Sequence, residues 1–133
     1  MGLARAQRYG DAFDEYLHQR SKETKIIAQI EHIVAVNNFE EISLVSGISG
    51  CFIGPYDLSC SLGEPGNFDS NQFKEALEHV IHTAKQRGLT LGIHAVEPDV
   101  KLIQHYIREG FDFIACSTDF KLLHIGMRRL LDE

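Results

Sequence analysis

The sequence predicts an α/β fold in which parallel strands alternate with helices. Three observations support this class: short runs that are apolar at every position, segments with one apolar helical face between them, and turn-forming residues at most junctions. Strands that are apolar throughout are typical of a parallel sheet whose faces are covered. We expect a helical opening followed by four strand–helix units, all within a single domain spanning residues 1–133.

The first half of the chain predicts, in order, a helix, a strand, a second helix and a second strand: Asp11–Ser21, Lys25–Ile30, Val36–Val45 and Gly50–Ile53. Asn37 or Asn38 is suited to cap the second helix, and Gly47 is suited to end it. The stretch from Gly54 to Asn67 is rich in Gly, Pro and Asn, so we interpret it as a long loop.

In the second half, Asp69 or Ser70 begins a long helix that ends at Gly88. The remaining elements are a strand, a helix opened by Pro98 and closed by Gly110, a strand and a last helix: Leu89–Ile93, residues 98–110, Phe111–Ala115 and Phe120–Leu131. Four units are half of what a closed (β/α)8 barrel needs, and such a half has two unpaired edges. An open doubly wound sheet is the alternative.

Composition excludes some classes of partner. The chain has 13 basic and 19 acidic residues, a net charge of −6, and its basic residues form no stripe, so nucleic acid and anionic membranes are poor candidates. Cys51, Cys60 and Cys116 have no metal-binding or redox spacing and are interpreted as reduced thiols, with Cys51 and Cys116 buried. We expect a cytoplasmic protein, because no run has membrane-spanning length and Met1 begins no signal-peptide pattern.

Acidic side chains follow two neighbouring strands of the predicted sheet. Glu31 comes directly after the first strand, and Asp57 comes shortly after the second. Ligands of parallel α/β proteins bind at the carboxyl ends of the strands, where these two carboxylates would meet. Two carboxylates with water and an oxygen-rich substrate suit a Mg²⁺-like ion. The alternative is that both residues only cap the following helices, and the pattern fits either interpretation.

Other residues at this rim have different expected roles. Glu97 and Asp119 are interpreted as helix caps, and His32 as structural because it would point away from Glu31. His94 suits either a substrate contact or a hydrogen-bonded core position. The Gly54-Pro55 exit from the second strand would leave backbone N–H groups, for instance those of Tyr56 and Asp57, exposed to an anion.

Four motifs together resemble the hydroxy-oxo-acid aldolase family, the hydroxyoxoheptanedioate aldolase and citrate lyase β-chain group of the phosphoenolpyruvate/pyruvate-dependent TIM barrels. They are Gln29-Ile30-Glu31-His32, Phe52-Ile53-Gly54-Pro55-Tyr56-Asp57-Leu58-Ser59, Gly92-Ile93-His94 and Gly110-Phe111-Asp112-Phe113-Ile114. The likeness covers essentially the whole chain, but only the carboxyl-terminal half of a typical member. It implies a (β/α)8 fold, Mg²⁺ or Mn²⁺ held by Glu31 and Asp57, and substrate contacts by Gln29 and the backbone of Tyr56 and Asp57.

The reaction that the resemblance implies is reversible retro-aldol cleavage of a hydroxy-oxo acid to pyruvate and an aldehyde. In the family, the general base (a His) and an Arg come from the first strands of the barrel, which have no counterpart here, so we assign no catalytic residue within this chain. The resemblance implies a chain that is incomplete alone and requires a complementary amino-terminal half or a second copy. It also implies a homo-oligomer in which the last helix packs on a neighbour.

Two other functions remain open on sequence grounds. The first is a non-catalytic oxo-acid-binding or assembly module derived from the same family, which would keep Glu31 and Asp57. The second is an unrelated open α/β domain of the flavodoxin type that binds a phosphorylated ligand.

Overall fold

A computed structural model describes residues 4–131, apart from the side chain of Ser21, and within that range the fold is a parallel sheet of four strands with interleaved helices. The strands are Ile26–Ile30 (β1), Ile48–Ile53 (β2), Thr90–Ala95 (β3) and Phe113–Cys116 (β4). The helices are Phe13–Glu23 (α1), Ile33–Asn37 (α2), Phe39–Ser43 (α3), Pro55–Ser61 (α4), Asn71–Arg87 (α5), Val100–Glu109 (α6) and Asp119–Leu131 (α7), preceded by a 3-10 segment at Arg5–Gly10. The predicted α/β class is confirmed.

The order of the strands distinguishes the two predicted architectures. The strands lie in the order β1-β2-β3-β4, so each unit adds its strand on the same side of the one before. A doubly wound sheet instead reverses its strand order at a switch point, which is where it binds its ligand. Sequential addition of parallel strands is the arrangement of a (β/α)8 barrel, and the flavodoxin-type alternative is excluded.

One face of the sheet is buried beneath helices. Residues that alternate along the strands, including Ile30, Ile53 and Ile93, pack in one hydrophobic core with helical residues such as Phe39 and Val80. Burying each such side chain contributes about 1.5–3 kcal/mol to folding. The core therefore lies between the sheet and α2–α5.

The opposite face carries less cover. Register places Gln29 beside Phe52, Phe52 beside Gly92, and Gly92 beside Phe113 on this face. The rings of Phe52 and Phe113 stack with centroids 5.6 Å apart, and Phe113 is 37% exposed. In a closed barrel the corresponding face is the interior. The half-exposed aromatic pair therefore lies where a full barrel would have its filled centre.

The helix predicted at Val36–Val45 is wrong in its bounds and continuity, since two short helices, α2 and α3, occupy residues 33–43. His32 begins α2 early, because its Nδ1 accepts a hydrogen bond from the Val34 N–H at 3.2 Å. The structural role predicted for His32 is thus confirmed. Asn38 separates the helices at φ −101° and ψ 11°, and its side chain donates back to the Val34 carbonyl oxygen instead of capping α3.

The long loop predicted from Gly54 to Asn67 is also wrong, because its first half is helix α4. Pro55 occupies the first position, where its fixed φ favours a helix and its missing N–H costs nothing. The Ser59 and Ser61 hydroxyls donate to carbonyl oxygens three residues earlier, at 2.6 and 2.8 Å. Turn-forming residues dominate only after α4, where Gly63 and Gly66 adopt positive φ.

Local signals predicted several other boundaries. Ser70 caps α5 by accepting from the Phe73 N–H at 3.2 Å, and Gly88 and Gly110 end α5 and α6 in the left-handed conformation. The prediction that Pro98 opens α6 is wrong, because Asp99 caps that helix by accepting from the Lys101 N–H at 2.7 Å.

Burial separates the three cysteines. Cys51 is buried as predicted, whereas Cys116 is exposed on the short edge strand β4 and Cys60 is exposed on α4. The prediction that Cys116 is buried is wrong, because no further strand covers β4 among residues 4–131. Over the same residues no helix is long and apolar enough to span a membrane.

Candidate active site

Glu31 lies at the carboxyl end of β1, directly after the last residue of that strand. Alternation along the chain puts Gln29 and Glu31 on the less covered face of the sheet. The two side chains are in contact, and Gln29 Nε2 donates to Glu31 Oε2 at 2.5 Å. The amide thus orients a half-buried carboxylate at the mouth of the half barrel.

Gly54 brings the next strand close to this carboxylate. Its N–H donates to the Ile30 carbonyl oxygen at 3.2 Å, which continues the pairing of β1 and β2 beyond the last residue of β2. A Cβ at position 54 would lie 3.0 Å from Glu31 Oε2 and 3.1 Å from Glu31 Cβ. The φ of −96° is ordinary, so limited space rather than conformation favours glycine here. Glu31 therefore lies against the turn that leads into α4.

Asp57 is the third residue of α4, in the first turn of the helix, and its side chain is exposed. The N–H groups of Tyr56 and Asp57 have no intrahelical acceptor at this position, and Gly54 supplies no side-chain cap. The Tyr56 ring packs edge-on against Phe68 with centroids 5.0 Å apart. The first turn of α4 thus presents one carboxylate and two backbone donors at the rim that carries Glu31.

Two serine hydroxyls join α4 to its surroundings. Ser61 Oγ accepts from the Ile33 N–H at 2.9 Å, across 28 positions of sequence, while donating within α4. Ser59 is fully buried, and its Oγ accepts from the Gly66 N–H at 2.8 Å while donating to the Tyr56 carbonyl oxygen. Neither serine was predicted from the sequence to have a role at the site, although Ser59 lies within the Gly-Pro-Tyr-Asp-Leu-Ser motif. The available signal was Pro55 followed by Asp57, which is typical of a helix start and could have indicated that both serines lie on a helix.

The carboxyl ends of β3 and β4 are organised by polar contacts. A ring nitrogen of half-buried His94 lies 3.2 Å from the Ser117 carbonyl oxygen, so His94 is held by hydrogen bonding. Glu97 forms an ion pair with Lys121 and does not cap α6, contrary to the prediction. Asp119 lies in the first turn of α7 and accepts from the Phe120 N–H at 2.7 Å, in keeping with its predicted role at a helix start.

The donor set at the rim fits a hard cation. Across residues 4–131 there is no group of three or more His, Cys, Asp or Glu side chains that would enclose a metal ion. A structural zinc site, by contrast, is closed by four protein ligands. Mg²⁺ instead binds through one or two carboxylates and keeps water and substrate as its other ligands. Glu31 and Asp57 offer carboxylate oxygens from neighbouring strand–helix units, so the chemistry of the donor set is compatible with such an ion.

The strand order, the single buried face and the polar rim at the strand ends define the class of protein: one half of a (β/α)8 barrel, a fold whose ligands bind at the carboxyl ends of its strands. Comparison with known families makes this specific. The chain belongs to the HpcH/HpaI aldolase/citrate lyase family, whose model matches residues 4–125. The predicted family and fold are confirmed.

Similar proteins agree in both class and coverage. The chain is 36% identical to a 5-keto-4-deoxy-D-glucarate aldolase of Escherichia fergusonii, over 97% of this chain and 49% of that protein. It is 34% identical to a hydroxypyruvate/pyruvate aldolase of Pseudomonas aeruginosa, over 96% of this chain and 47% of that protein. A solved HpcH/HpaI aldolase/citrate lyase family structure from Burkholderia cenocepacia superimposes with a TM-score of 0.90 at 29% identity, covering 99% of this chain and 50% of that one. The chain spans about half the length of these relatives.

Proposed function

We propose that this chain forms the metal- and pyruvate-binding side of an aldolase that reversibly cleaves a hydroxy-oxo acid into pyruvate and an aldehyde. The observation that carries the proposal is the close approach of Glu31 to the Gly54 turn, which leads within three residues to Asp57. Two aldolases of hydroxy- and oxo-acids are among the relatives of the chain, which supports the reaction class.

In this proposal Glu31 and Asp57 hold a divalent ion, Mg²⁺ or Mn²⁺. When bound, the ion would supply Lewis-acid stabilisation of the negative charge that develops on the oxo acid as its C–C bond breaks. The Gln29 amide keeps the Glu31 carboxylate in one orientation through its hydrogen bond. Fixing a ligand in this way lowers the cost of ordering it when the site is filled.

The same rim supplies recognition of the substrate. The N–H groups of Tyr56 and Asp57 have no acceptor within α4, so they are available to the carboxylate of pyruvate. Gln29 lies on the same face and offers its side-chain amide to a substrate oxygen. Charge-assisted bonds of backbone N–H groups to a carboxylate are about twice as strong as neutral ones.

We further propose that the chain works with a complementary amino-terminal half barrel, or with a second copy of itself in a homo-oligomer. Both sheet edges and the face bearing Phe52 and Phe113 have the exposure expected before another half barrel closes the structure. In this proposal the catalytic residues lie in that other half. Because a positioned general base typically raises the rate by about 10²–10⁴-fold, the half barrel described here should be a weak aldolase without it. A cytoplasmic location is part of the proposal, because all three cysteines are free thiols.

A second candidate function is a non-catalytic module that binds an oxo acid or supports assembly. Its basis is the donor set at the rim, because a half barrel can keep Glu31 and Asp57 as ligand-binding groups without supplying acid–base groups. The two functions differ in one respect. Only the aldolase part should promote exchange of the methyl protons of pyruvate with solvent, and only when Mn²⁺ and a complementary half are present.

Binding of Mn²⁺ to the purified chain, measured by electron paramagnetic resonance, tests the site. We expect binding by the wild type and none by Asp57→Asn, because the amide removes a negative ligand. The matched control is Asp69→Asn, since Asp69 is an exposed carboxylate whose side chain pairs only with Lys74 at 3.1 Å among the described contacts. Equal Mn²⁺ affinity in wild type and Asp57→Asn would refute the assignment.

A further inference from the structure

We infer that Ser61 is a positioning residue of the proposed site, whose hydroxyl sets the spacing between the chain segments that carry Glu31 and Asp57. The inference rests on the proposed function, because it assigns Ser61 a role in the affinity of that site. Ser61 itself is not proposed as a ligand or as a contact of substrate.

The hydroxyl joins one residue near each carboxylate. Ile33, two positions after Glu31, donates its N–H to Ser61 Oγ at 2.9 Å. The same oxygen donates to the carbonyl of Leu58, the residue after Asp57, at 2.8 Å. One side chain therefore connects the backbone beside Glu31 to the backbone beside Asp57.

A second connection lies on the other side of Glu31. The Gly54 N–H donates to the Ile30 carbonyl oxygen at 3.2 Å, so the residues before Glu31 and before α4 are also tied together. That bond lies at the end of the parallel pairing of β1 with β2, so it ties the two segments only on the strand side of the carboxylates. The Ser61 bridge supplies a second link beyond the carboxylates and thereby fixes their relative orientation.

Serine is chemically suited to this position. Ile33 is the first residue of α2, so its N–H has no acceptor within the helix. The nearby cap residue His32 already accepts from the Val34 N–H and does not serve Ile33. A hydroxyl both donates and accepts, so it satisfies Ile33 and reaches Leu58 at once. Alanine would leave the Ile33 N–H unpaired in a half-buried place.

Ser43 offers a matched control. Its Oγ donates to the Glu40 carbonyl oxygen at 2.6 Å, which is the same side-chain-to-backbone bond within a helix that Ser61 makes within α4. Ser43 is buried at the end of α3 and has no described bond to the segments that carry Glu31 or Asp57. Ser43→Ala therefore measures the stability lost with a helical serine hydroxyl while the Ser61 bridge remains intact.

The experiment compares full-length wild type, Ser61→Ala, Ser61→Thr and Ser43→Ala in Mn²⁺ affinity, thermal midpoint and hydrogen exchange of the Ile33 amide. We expect Ser61→Ala to weaken Mn²⁺ binding by about tenfold, the lower range for groups that orient metal ligands, and to speed exchange at Ile33. Ser61→Thr keeps the hydroxyl and should restore both. Ser43→Ala should lower the midpoint while leaving Mn²⁺ affinity unchanged.

The outcomes separate the inference from the proposed function. Ser61→Ala could speed hydrogen exchange at Ile33 and still bind Mn²⁺ with the affinity of the wild type. Ser61 would then be a purely structural residue, and the inference alone would be overturned. A wild type that binds no Mn²⁺ would overturn the proposed site and the inference with it. If Ser61→Ala does not fold, Ser61→Cys replaces it, since the weaker thiol bridge should give an intermediate loss of affinity and an unchanged affinity would again contradict us.

Discussion

The centre and the edges of the sheet are built differently. In β2 and β3 the residues facing the helices, among them Cys51, Ile53 and Ile93, are fully buried. In the edge strand β1, Ile26 is 53% exposed, and α7, the helix that follows the edge strand β4 in the chain, has no buried residue. The difference shows that the helix-covered centre supplies most of the sheet's share of the hydrophobic core, to which β1 adds Ile30, while the edges leave apolar surface and unpaired backbone exposed. The candidate site spans the two, with Glu31 after an edge strand and Asp57 after a central one.

The largest effect should separate an isoleucine of the centre from one of the edge. Ile53→Ala removes a fully buried side chain, so we expect the free energy of unfolding to fall by about 2–5 kcal/mol. Ile26→Ala truncates a side chain that is already half exposed, so we expect a loss below about 1 kcal/mol. Denaturant unfolding followed by circular dichroism measures both.

Repeating the unfolding of Ile53→Ala and Ile26→Ala at several protein concentrations tests for assembly. If Ile26→Ala proves as destabilising as Ile53→Ala, and more so at high concentration, β1 is buried against a partner chain in solution. In the assembled protein the edge strand would then be as buried as the central strands. A small effect of Ile26→Ala at every concentration would leave the contrast as described.

The next effect concerns the junction between centre and edge on the less covered face. A Cβ at Gly92 would lie 2.2 Å from Phe113 Cζ, because the Phe113 ring crosses β3 to stack on Phe52. Gly92→Ala should therefore displace the ring and cost about 1–3 kcal/mol in the free energy of unfolding. Phe113→Ala alone should cost about as much, because it removes the same aromatic contact that a displaced ring would lose.

The double variant Gly92→Ala/Phe113→Ala supplies the control. With the ring absent, the alanine at position 92 meets open space, so the double variant should be more stable than the sum of the two losses predicts. Additive losses would show that the ring does not depend on the glycine. The packing of the edge on the centre would then need another explanation.

Local signals made much of the fold predictable from sequence. The buried strand at Ile53 belongs to an apolar run, Ser70 is a helix-cap residue at the start of an apolar periodicity, and Gly88 ends that helix in the conformation that glycine favours. Helix α4 was missed because Gly54 and Pro55 signal a turn as strongly as a helix start. The exposure of Cys116 was missed because an apolar residue type does not reveal whether a neighbouring strand exists.

The candidate site was predictable only in part, for a related reason. Strand ends and a family motif point to Glu31 and Asp57, since both are features of contiguous sequence. The bridge from Ser61 to Ile33 joins residues 28 positions apart, and no pattern in either segment encodes it. The close approach of Gly54 to Glu31 likewise depends on the pairing of β1 with β2. Contacts between units need the three-dimensional arrangement.

The smallest expected effect is a difference in thiol chemistry between centre and edge that leaves stability almost unchanged. Burial first, and the negative charge of Asp112 second, raise the pKa of the Cys51 thiol to about 12. Because alkylation requires the thiolate, the raised pKa keeps Cys51 unreactive at pH 8, and its buried position excludes the reagent as well. Cys60 and Cys116 are exposed, so both should be alkylated in the native protein.

Iodoacetamide labelling followed by peptide mass spectrometry measures this difference. We expect Cys51 to be modified only in denaturant, where its burial is lost and its pKa returns to the ordinary range. A strand pairing along β4 would protect Cys116 and leave Cys60 on α4 as reactive as before, so the ratio of the two rates reports closure of the half barrel. Rapid native labelling of Cys51 would mean that the centre opens as readily as the edge, and the contrast on which these predictions rest would be wrong.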